Sequence, residues 1–159
     1  WNLYDYIISL SVTEQTAMLG VCDGVTFGQL CSGNPTNRIR GSDKWGVGHH
    51  GARRTGHTHN GVDIVCQDGA TVYAPFDLTI ERRARPYTDP KKAAINNGIL
   101  ARGQGVCFKL FYVAPVKVSG SVAAGQRLGV LLPMQQVYPG ITSHLHLELC
   151  DQSDPTPYL

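Results

Sequence analysis

Six histidines occur in 159 residues, and all of them fall into two groups: His49, His50, His57 and His59 in one, His144 and His146 in the other. Asp63 follows the first group closely. Imidazole nitrogens and a carboxylate at such short spacings are donor types that suit zinc. Three protein ligands with one position left open is the pattern of a catalytic-type zinc site, whereas structural sites are closed.

Side-chain direction sharpens the reading. In extended backbone, alternate residues share a face. The string His144-Leu-His146-Leu-Glu148-Leu149 then divides into a polar side, with His144, His146 and Glu148, and a side of leucines able to pack on a core. In His59-Asn-Gly-Val-Asp63-Ile-Val65, His59, Gly61 and Asp63 share one face while Val62 and Ile64 take the other. Gly61 leaves the space between the two ligands open. A carboxylate inside so apolar a run is costly to bury alone, and a cation removes that cost. One histidine by itself is more often a satisfied core residue than a ligand; two alternating pairs are harder to explain that way.

The elements that must position these side chains are short strands. With 18 Gly and 9 Pro, hydrophobic residues at 42% and charged residues at 16%, the composition favours many turns over long helices. The expected fold is mainly β, a single domain with a central antiparallel sheet, an irregular N-terminal segment and long loops. Strands are expected at Gly61 to Val65, Thr71 to Ala74, Leu78 to Arg83, Gly98 to Ala101, Val106 to Tyr112, Arg127 to Leu131 and His144 to Cys150. Asp68-Gly69 and Asn97-Gly98 mark turns. Gln29 to Thr58 reads as irregular with a short helix near Pro35 to Arg40, and it should wrap the sheet. Arg85 to Asn97 and Met134 to Ser143 read as long polar loops framing a groove.

Residues 1–26 are unlike the rest and read as a leader-like or atypical N-terminal segment, ahead of a domain spanning 27–159. Five cysteines without a Cys-x-x-Cys pair exclude a zinc ribbon or thioredoxin-type site and favour disulfides. Cys66 and Cys150 each end a strand, a position for a staple to a neighbouring segment; the expected pairs are Cys31 with Cys66 and Cys107 with Cys150. Cys22 is then odd: a free thiol, an intermolecular bond, or a residue absent from the mature protein, the last being preferred. No apolar run approaches the roughly 18 residues of a membrane span. A net charge of +2 gives no case for nucleic acid. Arg53-Arg54, Arg82-Arg83 and Lys91-Lys92 read as solvated surface with at most a weak polyanion or glycan contact.

Four strings together, His59-x-x-x-Asp63, Asp68-Gly-Ala-Thr-Val-Tyr-Ala-Pro75, Ala124-Gly-Gln-Arg-Leu-Gly129 and His144-Leu-His146-Leu-Glu148, resemble the lysostaphin-type zinc endopeptidases (duplicated hybrid motif fold), which cut bacterial cell-wall peptides. Further strings resemble a secreted vertebrate branch of that family: Ala94-Ile-Asn-Asn-Gly98, Lys109-Leu-Phe-Tyr112, Leu131-Leu-Pro-Met134, Val137-Tyr-Pro-Gly-Ile141 and Ser153-Asp-Pro-Thr-Pro-Tyr-Leu159. The resemblance implies that His59, Asp63 and His146 bind zinc, with His144 pointing into the same groove. Active members carry a further histidine on the strand before the Gly-Gln turn; here Tyr112 takes its place. Tyr, with a pKa near 10, is a poor base at neutral pH, and a positioned acid/base group is typically worth about 10²- to 10⁴-fold in rate. The branch also has a short disulfide in the segment matching Arg40 to Gly48, whose positions here read Ser42 and Val47, and a looser loop is expected.

The resemblance thus implies a secreted, extracellular, cytokine-like protein, chemotactic for leukocytes in innate immunity, whose partners are cell-surface receptors and whose zinc site is non-catalytic. The alternative is an active zinc endopeptidase on Gly/Ala-rich or cell-wall peptides. A third reading is a carbohydrate or peptidoglycan binder that uses the groove without cutting.

Overall fold

The strand that carries both late histidines lies inside a sheet rather than at its edge. In a computed structural model, which describes residues 24–159, eleven strands follow in chain order: β1 (Arg53–Arg54), β2 (His57–Thr58), β3 (Val62–Val65), β4 (Thr71–Tyr73), β5 (Leu78–Arg83), β6 (Gly98–Gly103), β7 (Val106–Phe111), β8 (Val113–Pro115), β9 (Gly120–Val122), β10 (Arg127–Leu131) and β11 (His144–Leu149). Among the described residues one α-helical turn, α1 (Met134–Val137), precedes β11, and 3₁₀ turns occupy Pro90–Ile95 and Thr156–Tyr158. Cys22 and most of the leader-like segment lie outside the described residues.

The fold is mainly β. A six-stranded antiparallel sheet has the order β3-β11-β7-β6-β5-β9, a three-stranded one the order β4-β10-β8, and β1 with β2 forms a small hairpin. Valine, isoleucine and leucine on alternate positions give the strands one face to bury. One apolar cluster joins the two larger sheets, with Val62, Ile64, Leu110, Leu145 and Leu147 from the first and Val72, Val113, Leu128 and Leu131 from the second. All six residues of β11 are buried: its leucines face this core, and His144, His146 and Glu148 lie low in a groove on the other side. The exposed edge of β3 is closed by the irregular segment: the Arg40 amide donates to the Asp63 carbonyl at 2.8 Å and the Asp63 amide to Gly48 at 2.9 Å.

Several expectations are corrected. Pro35 to Arg40 is not helical. Asn34 and Asn37 divert the backbone into turns, Asn34 Oδ1 accepting from the Arg38 amide at 2.8 Å and Asn37, at φ 52°, accepting from the Leu30 amide at 2.9 Å. The loop at Arg85 to Asn97 contains the 3₁₀ turn, started by Pro90 after Asp89, whose side chain accepts from the Lys91 amide. The other loop contains α1, whose free amides at Met134 and Gln135 are capped by Asp68. The strand expected through Tyr112 stops at Phe111. Tyr112 adopts φ 71° and turns the chain out of the large sheet into β8 of the small one.

Disulfides join Cys31 to Cys66 and Cys107 to Cys150. The first ties the irregular segment to the end of β3, and the second links β7 to the residue after β11. No described helix is long and apolar enough to cross a membrane.

Leu147 is fully buried and directly opposite both Val62 and Leu110. Leu147→Ala is expected to lower unfolding free energy by about 2–5 kcal/mol, read as an earlier midpoint in urea denaturation.

Candidate metal centre

Strand pairing sets the geometry of the centre. His146 on β11 lies directly opposite Asp63 on β3, and His59 sits on the chain just before β3 with 7% exposure. His59 Nε2 is 3.0 Å from Asp63 Oδ1 and 3.0 Å from His146 Nδ1, and His146 Nδ1 is 3.1 Å from Asp63 Oδ1. Three atoms from three side chains therefore form one near-equilateral triangle. A Cβ on Gly61 would stand 2.2 Å from the Leu147 carbonyl oxygen and 2.9 Å from the His146 ring, so glycine is what lets this ring lie across β3.

Hydrogen bonds on the far side of each ring decide what the triangle can bind. His59 Nδ1 lies 2.9 Å from the His49 carbonyl oxygen, which can only accept, so Nδ1 carries the hydrogen and Nε2 presents a lone pair. His146 Nε2 donates to Glu148 Oε1 at 3.2 Å, which leaves Nδ1 as a lone pair. Asp63 Oδ1 is an acceptor as well. With both rings neutral, three lone pairs converge within hydrogen-bonding distance, an arrangement satisfied either by a proton on His146 Nδ1, which then donates to Asp63 Oδ1, or by a metal cation. The donor set of two imidazoles and one carboxylate, each with its outer atom anchored, fits a transition-metal ion. His59, Asp63 and His146 thus form a buried group that could hold a metal.

The pKa directions express the same demand. Burial alone would push the Asp63 carboxyl up, but His144, His146 and His59 together hold it well below the usual carboxylate range. Burial disfavours charged His146, yet its hydrogen bonds to Asp63 and Glu148 prevail and push its pKa up to about 8. His144 moves the other way, because burial outweighs the attraction of Asp63. Its Nδ1 donates to the Thr142 carbonyl at 2.7 Å, and its Nε2 stands 3.5 Å from Asp63 Oδ2, beside the triangle but outside it.

Asp63 Oδ2 is held from behind by Arg40 at 3.0 Å, with Arg54 at 3.6 Å. Arg40 also grips Asp43, its Nη2 2.7 Å from Oδ1 and its Nε 3.0 Å from Oδ2. Arg54 is therefore no merely solvated surface residue, and Lys92 likewise lies over the Tyr87 ring at 4.4 Å. Tyr112 lines the same groove, its ring 5.6 Å from that of His144, and its hydroxyl bonds that of Tyr87 at 2.8 Å, with Tyr138 3.0 Å beyond. His49 and His57 are exposed and His50 half-buried; none joins the triangle. Arg40, Tyr87 and Tyr138 carry no local signal that would have marked them, since loops deliver all three.

No protein-family model matches the chain. It is 44% identical over 153 residues to leukocyte cell-derived chemotaxin-2 of Mus musculus, covering 96% of this chain and 100% of the relative. To the Bos taurus protein of the same name it is 51% identical over 130 residues, covering 82% and 85%. Among solved structures, Csd3 of Helicobacter pylori superposes with a TM-score of 0.55 at 16% identity, over 86% of this chain. The chain spans 35% of that protein, and the likeness shows a shared fold.

Asp43 accepts four hydrogen bonds, two from Arg40 and one each from the amides of Trp45 and Thr142. Burial raises its pKa, but these donors outweigh burial and hold the carboxyl well below the usual range. Its contribution is then fully present above the unfolded pKa of about 3.9 and is lost as pH falls through the lower folded value. Asp43→Asn is expected to cost about 1–3 kcal/mol at pH 7. The gap to the parent should close on acidification below about pH 4, as followed by denaturation at a series of pH values.

Proposed function

The chain belongs to the leukocyte cell-derived chemotaxin-2 family, and from that premise we propose that it is a secreted, cytokine-like chemotactic signal for leukocytes with a non-catalytic zinc site at His59, Asp63 and His146. Its partners on this reading are cell-surface receptors. Two disulfides are consistent with an oxidising, extracellular setting.

The observation that carries the non-catalytic reading is Tyr112. An acid–base pair across the groove requires a second group able to take a proton beside His144, and the side chain facing the His144 ring is a phenol. Burial pushes the Tyr112 pKa further above its ordinary value, and its oxygen is engaged with Tyr87. At neutral pH it can donate a hydrogen bond but cannot receive a proton. When bound, zinc supplies Lewis-acid polarisation and a cross-link between its ligands. In this chain His59 and Asp63 would hold the ion from the β3 side and His146 from β11, while Glu148 and the His49 carbonyl fix the imidazole rings. Such a ligand set would tie β3 and the chain just before it to β11, which is the work of a stabilising metal.

A working endopeptidase on Gly/Ala-rich or cell-wall peptides is the second reading, and one observation favours it. Burial keeps His144 neutral with Nδ1 anchored on Thr142, so its Nε2 lone pair is available in the groove.

Metal analysis of purified protein is expected to give about one zinc per chain, with near-complete loss in His59→Ala and in His146→Ala. Chelation should lower the melting temperature; a stripped protein that kept both its melting temperature and its leukocyte chemotactic activity would refute a structural role for the ion.

Incubation with pentaglycine and with muropeptides, beside a His146→Ala control, is expected to yield no zinc-dependent products. Cleavage by the parent alone would put the endopeptidase reading first.

A further inference from the structure

Beside the metal centre runs a groove of about 460 Å³ lined by Arg40, Arg54, Lys92 and the aromatic side chains of Trp45, Tyr87, Tyr112 and Tyr138. Its two carboxylates are both engaged. Asp63 faces the imidazoles and Arg40, and Glu148 accepts from His146. Arg40 is neutralised by Asp43 behind the groove as well as by Asp63, so the cations left facing the groove are Arg54 and Lys92. Arg54 has one guanidinium nitrogen on the Val47 carbonyl at 2.8 Å and another on that of Arg53 at 3.2 Å, and its side chain is 19% exposed. No carboxylate lies within ion-pair distance of Lys92 among the described residues.

The tyrosines add a donor to this surplus. Tyr87, Tyr112 and Tyr138 are linked by two hydrogen bonds between their hydroxyls. Three phenols bring three O–H hydrogens, two bonds use two of them, and one remains for an acceptor outside the trio, whichever way the chain is polarised. The groove therefore presents an ammonium at Lys92 with no carboxylate partner among the described residues, a phenol hydrogen to spare, and no unengaged acidic group.

We propose that this groove receives an acidic side chain, an Asp or Glu carried on an extended segment of a partner protein, bound between Arg54, Lys92 and the tyrosine hydroxyls beside the metal centre. The inference deepens the receptor-binding reading and rests on it for the partner being a protein; its charge argument stands with or without zinc. A carboxylate would meet both the Lys92 ammonium and the spare phenol hydrogen, and charge-assisted hydrogen bonds are the strong ones. An acidic glycan is the competing occupant, and the wall disfavours it. Sugars stack on bare ring faces, whereas Lys92 Nζ already lies 4.4 Å above the Tyr87 ring and 5.6 Å from the centre of Tyr138, and Lys44 Nζ stands 5.6 Å over Trp45.

The test uses the full chain, zinc-loaded and metal-free, titrated by calorimetry and by NMR with a capped glycine-rich pentapeptide bearing one central Glu, its Gln counterpart, and a heparin-derived tetrasaccharide. The Glu peptide is expected to bind about tenfold tighter than the Gln peptide, and its affinity should fall as salt rises from about 50 to about 300 mM. Lys92→Glu and, separately, Arg54→Gln should each weaken it about fivefold or more, with unchanged melting temperature for Lys92→Glu showing that the fold persists. Equal affinity for the two peptides, preference for the tetrasaccharide, or no binding of the Glu peptide at millimolar concentration overturns the proposal. Zinc uptake without Glu preference defeats this inference and leaves the zinc assignment standing; Glu preference without zinc uptake does the reverse.

Discussion

Burying Asp63 at 2% exposure in the ladder between β3 and β11 obliges the surrounding chain to supply positive charge against it. An isolated buried carboxylate is costly by several kcal/mol or more. Arg40 answers from behind and Arg54 from the hairpin, while the rings of His59, His144 and His146 face its front. These groups come from stretches of chain far apart in sequence, so the carboxylate is satisfied only when the irregular segment, β3 and β11 are all in place. The same convergence that solves the burial problem creates a triangle of lone pairs. The capacity to hold a cation is thus a consequence of how the ionic core is closed.

Arg40 links this core to the loop that follows it. No cysteine stands in this segment, where Ser42 and Val47 flank the turn. The loop is fastened instead by the double grip of Arg40 on Asp43, by reciprocal amide–carbonyl bonds between Asp43 and Gly46 at 2.9 and 3.1 Å, and by Trp45 Nε1 donating to the Pro139 carbonyl at 2.9 Å. One consequence is geometric. The loop that clamps Arg40 also carries Trp45, so the groove wall and the back of the metal centre are held by a single set of bonds.

Legibility followed the range of the interaction. Alternation within β11 and around Asp63 is local, so the sequence sufficed to place His144, His146 and Glu148 on one face and to bring His59, Gly61 and Asp63 together. The seven strands expected from periodicity correspond to β3–β7, β10 and β11, each with shifts of a few residues at its ends or none. Strands β1, β2, β8 and β9, of two or three residues each, are too short for a period to register, and pairing alone makes them strands. The helix expected at Pro35 to Arg40 failed because asparagine side chains compete for backbone groups. The cap of α1 comes from Asp68, on a turn distant in the chain, and cannot be seen locally. Arg40, Tyr87, Lys92 and Tyr138 became visible only when loops had been laid against the sheet.

Tyr112 shows how backbone fixes chemistry. Its φ of 71° is unfavourable for a bulky residue, by about 1–2 kcal/mol, and persists because both flanking peptide groups are held. Its amide donates to the Asn97 carbonyl at 2.8 Å and its carbonyl accepts from the Leu132 amide at 2.8 Å. These bonds pin the point where the chain leaves the large sheet for the small one, and they aim whatever side chain stands there into the groove. The joint is demanded by the fold, so the side chain's direction is not free, while its chemistry is. With a phenol at that point, tied to Tyr87 and through it to Tyr138, the groove gains a hydrogen-bonded wall of donors where an imidazole would have provided a proton acceptor. On the function proposed above, this one residue at a structurally compulsory bend favours recognition over proton transfer in the cleft.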